Sequence, residues 1–359
     1  MDRQYTSRLE NIEAVLEHWL PENPSNAWAA EVFHGLGAIN PQLLQALAAP
    51  CRELLSRGGK RWRPLLMTLI CEALGGGDAA LPLVPLVEFC HNASLIHDDI
   101  EDNSSERRGK PAVHIMHGVD AAINSGCFLY FLPLACIDSW ASAIKPKTGV
   151  SPAQDYRVRV HALWAGYMRK LHLGQAMDIH WHKNFDLIPS VDEYFTMCQL
   201  KTGCLARFAA ELGAAAAEMS MAAPVSMPAK FLGETAEKLG VGFQILDDVK
   251  NVTSGIPGKK RGDDVVEGKK SLPVLLFLHR WPEKREMVFR CFNAARTGGV
   301  GTPEVEELIQ ALLDAGVLAE AEEQGKALIA EARDAFADPR IPLNAEGRAL
   351  LTGFVALIT

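Results

Sequence analysis

Two acidic clusters stand at the ends of long apolar runs. They are Leu95-Ile96-His97-Asp98-Asp99-Ile100-Glu101-Asp102 and Gln244-Ile245-Leu246-Asp247-Asp248-Val249-Lys250-Asn251. Positions i and i+4 of a helix share a face, so Asp98 and Asp102 point the same way with Asp99 beside them. Two such helix ends facing one another form a cage of hard oxygen ligands. That cage suits Mg²⁺, which takes one or two carboxylates and completes its shell with water and substrate phosphate. A single Asp-Asp-x-x-Asp would be read as a solvated helix end. Two copies, each followed by basic residues, argue for a metal site instead.

The basic residues fall into four groups. Gly58-Gly59-Lys60-Arg61-Trp62-Arg63-Pro64 puts cations at a helix start, where backbone N–H groups and the helix dipole also attract anions. Arg107-Arg108 adds two guanidinium forks that match phosphate oxygens. Lys201-Thr202-Gly203 lies within a helical run, where a lone Lys is usually solvated. Gly258 to Asp264 is a basic loop just after the second acidic cluster. Cations beside Mg²⁺-type carboxylates imply a highly anionic ligand such as a diphosphate. Either phosphorus is attacked, or diphosphate leaves and a carbocation remains. No P-loop or kinase-type catalytic loop is present, and the apolar helix behind Asp98 suits an apolar tail.

The elements that must hold these groups are helical. Apolar spacing predicts helices over 8–20, 41–57, 62–74, 82–98, 119–142, 154–183, 191–218, 229–251, 271–281, 303–316, 318–337 and 345–357. Pro133 predicts a kink in the 119–142 helix. Loops are predicted over 103–111, 219–228 and 253–268, and a linker over 145–152. No useful period-2 alternation occurs. The fold expected is all-α, a single large bundle of ten or more helices around a central cavity, with no cut into two domains across 1–359. A net charge of −8 and 22% charged residues describe an ordinary globular chain and disfavour a uniform nucleic-acid-binding face. The eight Cys form no Cys-x-x-Cys pair, so neither zinc nor a redox motif is indicated, and most are expected to be buried. No apolar run of membrane-span length and no apolar leader is read, so the expected compartment is the cytoplasm. Asp178, His180 and His182 are read as solvated or interfacial, since His180 and His182 do not share a helix face.

The motifs in order resemble those of the trans-isoprenyl diphosphate synthases. They are Gly59-Lys60-x-x-Arg63-Pro64, Asp98-Asp99-x-x-Asp102, Arg107-Arg108-Gly109, Gly174-Gln175, Lys201-Thr202, Phe243-Gln244-x-x-Asp247-Asp248 and Gly268-Lys269-x-Ser271-Leu272-Pro273. They span about residues 50–275, and the flanking residues look most like the eukaryotic-type geranylgeranyl diphosphate synthases. The resemblance implies that Asp98, Asp99, Asp102, Asp247 and Asp248 bind Mg²⁺, three ions per site, holding an allylic diphosphate. It implies that Arg107, Lys201 and Lys259 neutralise the leaving diphosphate, and that Lys60, Arg63, His91 and Arg108 hold isopentenyl diphosphate. Lys269 joins the substrate-binding set, and Thr202 and Gln244 steady the allylic cation. Asn251 stands where many relatives carry Asp, which implies a weaker hold on the third metal. The primers implied are dimethylallyl, geranyl and farnesyl diphosphate, and the assembly implied is a homodimer or a dimer-based oligomer.

Ser94 and Ala93, four and five residues before Asp98, lie about 6–7.5 Å deeper along the helix and are small, which disfavours a short C15 product. Tyr130, Phe131 and His172 match positions that close the tunnel in the eukaryotic-type subgroup, which points to C20 and leaves C25 or longer open. A class I terpene cyclase is the second reading, but positions 247, 251 and 255 are Asp, Asn and Gly, without the final carboxylate such enzymes use. A non-catalytic partner subunit is the third, and the retained acids argue against it.

Overall fold

The computed structural model describes residues 3–143, 153–221, 229–255 and 260–358. The first five helices are α1 (Arg3–Trp19), α2 (Asn26–Phe33), α3 (Pro41–Ser56), α4 (Trp62–Ala73) and α5 (Val84–Glu101). Ser25 and Asn40 cap α2 and α3 by accepting from Trp28 N and Gln42 N, and Pro starts α3, where its missing N–H costs nothing. Then come α6 (Val113–His117), α7 (Val119–Phe131), α8 (Leu134–Ala143), α9 (Ala153–Lys183), α10 (Val191–Cys198), α11 (Cys204–Met221) and α12 (Ala229–Thr253). The rest are α13 (Asp263–Glu267), α14 (Leu272–Arg280), α15 (Arg285–Gly298), α16 (Pro303–Asp314), α17 (Val317–Ala337) and α18 (Ala345–Ile358).

The all-α expectation holds, with local corrections. Pro133 does more than kink its helix: it separates α7 from α8. The 191–218 run is not one α-helix, because a π-turn over Gln199–Gly203 joins α10 to α11. The loop after Asp102 contains a two-residue antiparallel ribbon, Glu106–Arg107 against Lys110–Pro111. Its turn is made by Arg108 and Gly109, both at positive φ (53° and 74°), the backbone of a tight hairpin turn. α2, α6, α13 and α15 were not expected, and the 145–152 linker lies outside the described residues. One stretch, Val119–Ala143, is long and apolar enough to cross a membrane, contrary to the sequence reading. It is broken at Pro133 and half of its window is buried against the bundle, which is how a core element behaves.

α11 lies at the centre. Its apolar side chains from Cys204 to Met219 are buried against α4, α9 and α12. Apart from one charged stripe of Arg207, Glu211 and Glu218 it is apolar, so most of its faces must be covered by other helices, and each large side chain it removes from water contributes about 1.5–3 kcal/mol. A second apolar cluster, including Val265, Phe277, Phe292 and Leu308, joins α13 to α16. Between α4, α5, α9, α11 and α12 the bundle encloses a cavity of about 860 Å³.

Candidate active site

α5 carries its acids to the cavity in unequal ways. Asp98 lies on the wall. Its Oδ1 accepts from Gln175 Nε2 at 2.9 Å and from Lys201 Nζ at 3.0 Å, and its Oδ2 from Arg107 at 3.3 Å. Asp99 is fully buried, with Arg107 Nη2 at 2.5 Å from its Oδ1. It anchors the guanidinium and does not face the cavity. Asp102 ends the helix at an adjoining smaller cavity of about 370 Å³, shared with Glu106, Asp263 and Glu267. Lys269 Nζ donates to Asp102 Oδ2 at 2.8 Å, and Oδ1 is buried without a hydrogen bond. The ribbon after Asp102 explains how Arg107 and Arg108 diverge. Arg107 turns to the acids, while Arg108 donates to the carbonyls of Leu54 and Gly58 and lies against Gly59.

The second acidic cluster brings both its aspartates to the cavity. Asp247 lies on the cavity wall, and burial pushes its carboxyl up to about 6. Asp248 is held on both oxygens, by Gln244 Nε2 at 2.8 Å and by Tyr194 Oη at 2.7 Å. Gln244 in turn accepts from Thr202 Oγ1 at 2.8 Å, so Thr202 and Gln244 form one chain leading to Asp248. Asn251 is buried, and its Oδ1 accepts from Asp264 N at 3.1 Å, which caps α13. Asn251 also lines the cavity, and its amide oxygen already accepts from the backbone of Asp264.

Arg63 Nη1 lies 3.4 Å from His91 Nε2, and both line the same cavity with Lys60 and Arg108. Burial, then the nearby guanidinium groups of Arg63 and Arg108, push the His91 imidazole well below its usual value, so it is neutral. Burial lowers Arg63 to about 10, still charged at neutral pH. Lys60 Nζ donates to Ile358 O at 3.0 Å and sits 5.2 Å from the Phe243 ring centroid.

Lys201 is not solvated. Its Nζ is 2.5 Å from Asp178 Oδ2 as well as 3.0 Å from Asp98. Burial works to lower its pKa, but these two carboxylates more than offset that and raise it. Asp178 is thus a buried member of the site, correcting the solvated reading, and His182 is buried with Nδ1 3.9 Å from Asp102. The missed signal was helical spacing: Gln175, Asp178 and His182 recur at i, i+3 and i+7 on one face of α9. Tyr194 and Glu267, the second partner of Lys269 at 2.7 Å, were also missed. Lys259 lies outside the described residues.

The residues expected to set chain length separate. Ser94 lines the cavity, but Ala93 is fully buried off its wall. Tyr130 is buried, with its ring centroid 5.1 Å from His172 and 5.8 Å from His97. Phe131 is 60% exposed, its ring tilted against that of Trp164 with centroids 5.8 Å apart, and His172 is exposed as well. Neither closes the cavity within this chain. A side chain on α7 that follows Tyr130 by one residue is turned about 100° away from it.

Among the described residues no three His, Cys, Asp or Glu side chains converge as a complete metal site. The donors nonetheless fit Mg²⁺, which needs few protein ligands when a diphosphate supplies the rest. Burial pushes Asp102 up despite the ammonium of Lys269, and burial with Asp264 nearby pushes Asp248 up. Carboxyls that burial and neighbouring acids keep from ionising are short of positive charge, which a divalent ion would supply.

The polyprenyl synthetase family model matches residues 44–311. A geranylfarnesyl diphosphate synthase of Aeropyrum pernix is 32% identical over 85% of this chain and 91% of its own. A geranylgeranyl pyrophosphate synthase of Penicillium janthinellum is 34% identical over 68% of this chain, which spans 61% of that relative. The crystal structure of geranylgeranyl pyrophosphate synthetase from Pyrococcus horikoshii superposes with a TM-score of 0.76 at 27% identity, covering 98% of this chain and 95% of that one.

Proposed function

The chain belongs to the polyprenyl synthetase family, and from that premise we propose that it makes geranylgeranyl diphosphate (C20) with three Mg²⁺ ions per site. It is a prenyltransferase that joins isopentenyl diphosphate to an allylic diphosphate, and its family uses a divalent metal. The observation that carries the reading is one cavity lined by both carboxylates and cationic or hydrogen-bonding groups that suit diphosphate. We assign Asp98, Gln175, Lys201 and Asp247 to the allylic diphosphate, and Arg63, His91 and Arg108 to isopentenyl diphosphate.

Arg63 and Arg108 hold the isopentenyl diphosphate oxygens, with neutral His91 as a hydrogen-bond partner. Asp98, Asp102 and Asp247 would hold the metal, and when bound it supplies the charge that draws the allylic diphosphate away from its carbon. Asp99, buried on Arg107, orients that guanidinium, and Asp248, which lines the cavity beside Asp247, would join the metal-holding acids. Lys201 and Arg107 stand beside the departing anion. Thr202 and Gln244 present polar oxygens to the cation left behind. The isopentenyl double bond then forms the new carbon–carbon bond, and a proton leaves to the freed diphosphate.

Small Ser94 on the cavity wall supports C20 over a shorter product. The archaeal relative's name keeps C25 as the second reading. Exposed Val119, Ile123, Phe131 and Leu173 on α7 and α9 support a homodimer across that face. Eight free cysteines support a reducing compartment such as the cytoplasm. The test is labelled isopentenyl diphosphate with dimethylallyl, geranyl or farnesyl diphosphate, followed by product chain-length analysis. Linear products that vanish in chelator, in Asp98→Ala and in Asp247→Ala support the reading. Undiminished condensation in any of the three would overturn the metal assignment, and cyclic hydrocarbon without isopentenyl consumption would replace a synthase with a cyclase.

A further inference from the structure

Lys201 and Thr202 are consecutive, yet they serve opposite walls. Lys201 Nζ reaches Asp98 on α5 and Asp178 on α9, while Thr202 Oγ1 donates to Gln244 on α12. Both sit in the π-turn Gln199–Gly203. A π-turn adds a residue to one helical turn, is rare, and persists only where the surroundings impose it.

The surroundings here are two helix backbones. A Cβ at Gly174 on α9 would lie 2.5 Å from Lys201 N, 2.7 Å from Leu200 C and 2.8 Å from Leu200 Cβ. A Cβ at Gly240 on α12 would lie 3.0 Å from Gly203 Cα and 3.4 Å from Thr202 O. The turn is gripped from both sides at the residues that carry its two functional side chains. Gly166, two helical turns earlier on α9, has nothing within 4 Å of its Cβ position, so close approach belongs to Gly174 and is not general to that helix.

We propose that Gly174 and Gly240 are positioning residues that clamp the π-turn and thereby aim Lys201 at Asp98 and Thr202 at Gln244. The proposal rests on the part given to Lys201 and Thr202 above. A methyl group at position 174 pushes the turn outward and withdraws the Lys201 ammonium from the leaving diphosphate. It does not touch Arg63, His91 or Arg108.

The experiment compares Gly174→Ala, Gly166→Ala, Lys201→Ala and the Gly174→Ala/Lys201→Ala double variant of the full chain, by kcat, KM for each substrate and melting temperature. Displacing a catalytic group by about 1 Å costs on the order of 100-fold in rate. Gly174→Ala is expected to lose that much in kcat with KM for isopentenyl diphosphate unchanged, and Gly166→Ala to lose nothing. The double variant should be no slower than Lys201→Ala, because both changes act through the same ammonium. Parental kcat in Gly174→Ala, or a double variant whose loss is the product of the two, overturns the proposal. Parental kcat in Lys201→Ala removes the reading beneath it, and that result is distinguishable because it appears without any change at Gly174. Should Gly174→Ala fail to fold, Gly240→Ala makes milder contacts and carries the test: lowered kcat supports the clamp, parental kcat overturns it.

Discussion

Ser94→Phe should shorten the product. Ser94 lies on the cavity wall four residues before Asp98, about 6 Å down the helix axis at 1.5 Å per residue. One isoprene unit extends about 5 Å, from four carbon–carbon bonds of ~1.5 Å projected along the chain. A ring at position 94 therefore meets the tail after one to two units. Forcing the chain past it costs about 1–3 kcal/mol, the usual range for overpacking. Since about 1.4 kcal/mol is tenfold, the ratio of C20 to C15 should fall by roughly 5- to 150-fold. The assay is radiolabelled isopentenyl diphosphate with geranyl diphosphate, dephosphorylation and chromatography of the alcohols. Ala93→Phe is the contrast. Ala93 is fully buried off the wall, so the ring should lower the melting temperature while the product stays C20. A folded Ser94→Phe enzyme with an unchanged C20 fraction would refute the placement of the tail, as would Ala93→Phe shortening the product at an unchanged melting temperature.

Three further outcomes are expected. Asp178→Asn leaves Lys201 with Asp98 as its remaining carboxylate, and the ammonium then competes with metal there. Half-saturating Mg²⁺ should rise roughly tenfold, about 1.4 kcal/mol, and an unaltered metal titration would remove Asp178 from the site. Asn251→Ala should cost about 1 kcal/mol of stability by uncapping α13, while Asn251→Asp, which keeps the accepting oxygen, should melt like the parent. Lys270 is buried between the rings of Phe185 and Phe292, bonded to the carbonyls of Trp181 and Gly268, and faces Arg296 and Asp178. Burial lowers it to about 8 from 10.5, so the folded chain holds fewer protons than the unfolded one between those values and stability rises with pH across that window. Against Lys270→Met, the parent should gain about 3 kcal/mol from pH 8 to 10.5, and parallel melting curves would contradict it.

Much of this protein is written in local pattern. The helical periods of α1, α5, α12 and α17 announce an all-α bundle because the 3.6-residue period alone gathers apolar residues on one stripe, whichever neighbour then covers it. The two Asp clusters and the basic groups after them point to a metal and a diphosphate because i, i+4 spacing alone puts carboxylates on one face. Short or capped elements were harder to read. α13 exists because Asn251 and Gly262 start it, and α15 is amphipathic but follows directly on the loop after α14.

What tertiary structure decided is which of several equivalent residues does what. Asp98 and Asp99 are adjacent acids with the same neighbours in sequence, but only packing against the ribbon gives Asp99 to Arg107 and leaves Asp98 on the wall. Tyr130 and Phe131 are adjacent aromatics, and the rotation of α7 buries one and exposes the other. Asp178 looked solvated because its partner, Lys201, is 23 residues away and reaches it only through a π-turn held between two glycines. A sequence specifies the faces a helix owns, whereas which face meets which neighbour depends on contacts between residues far apart in the chain.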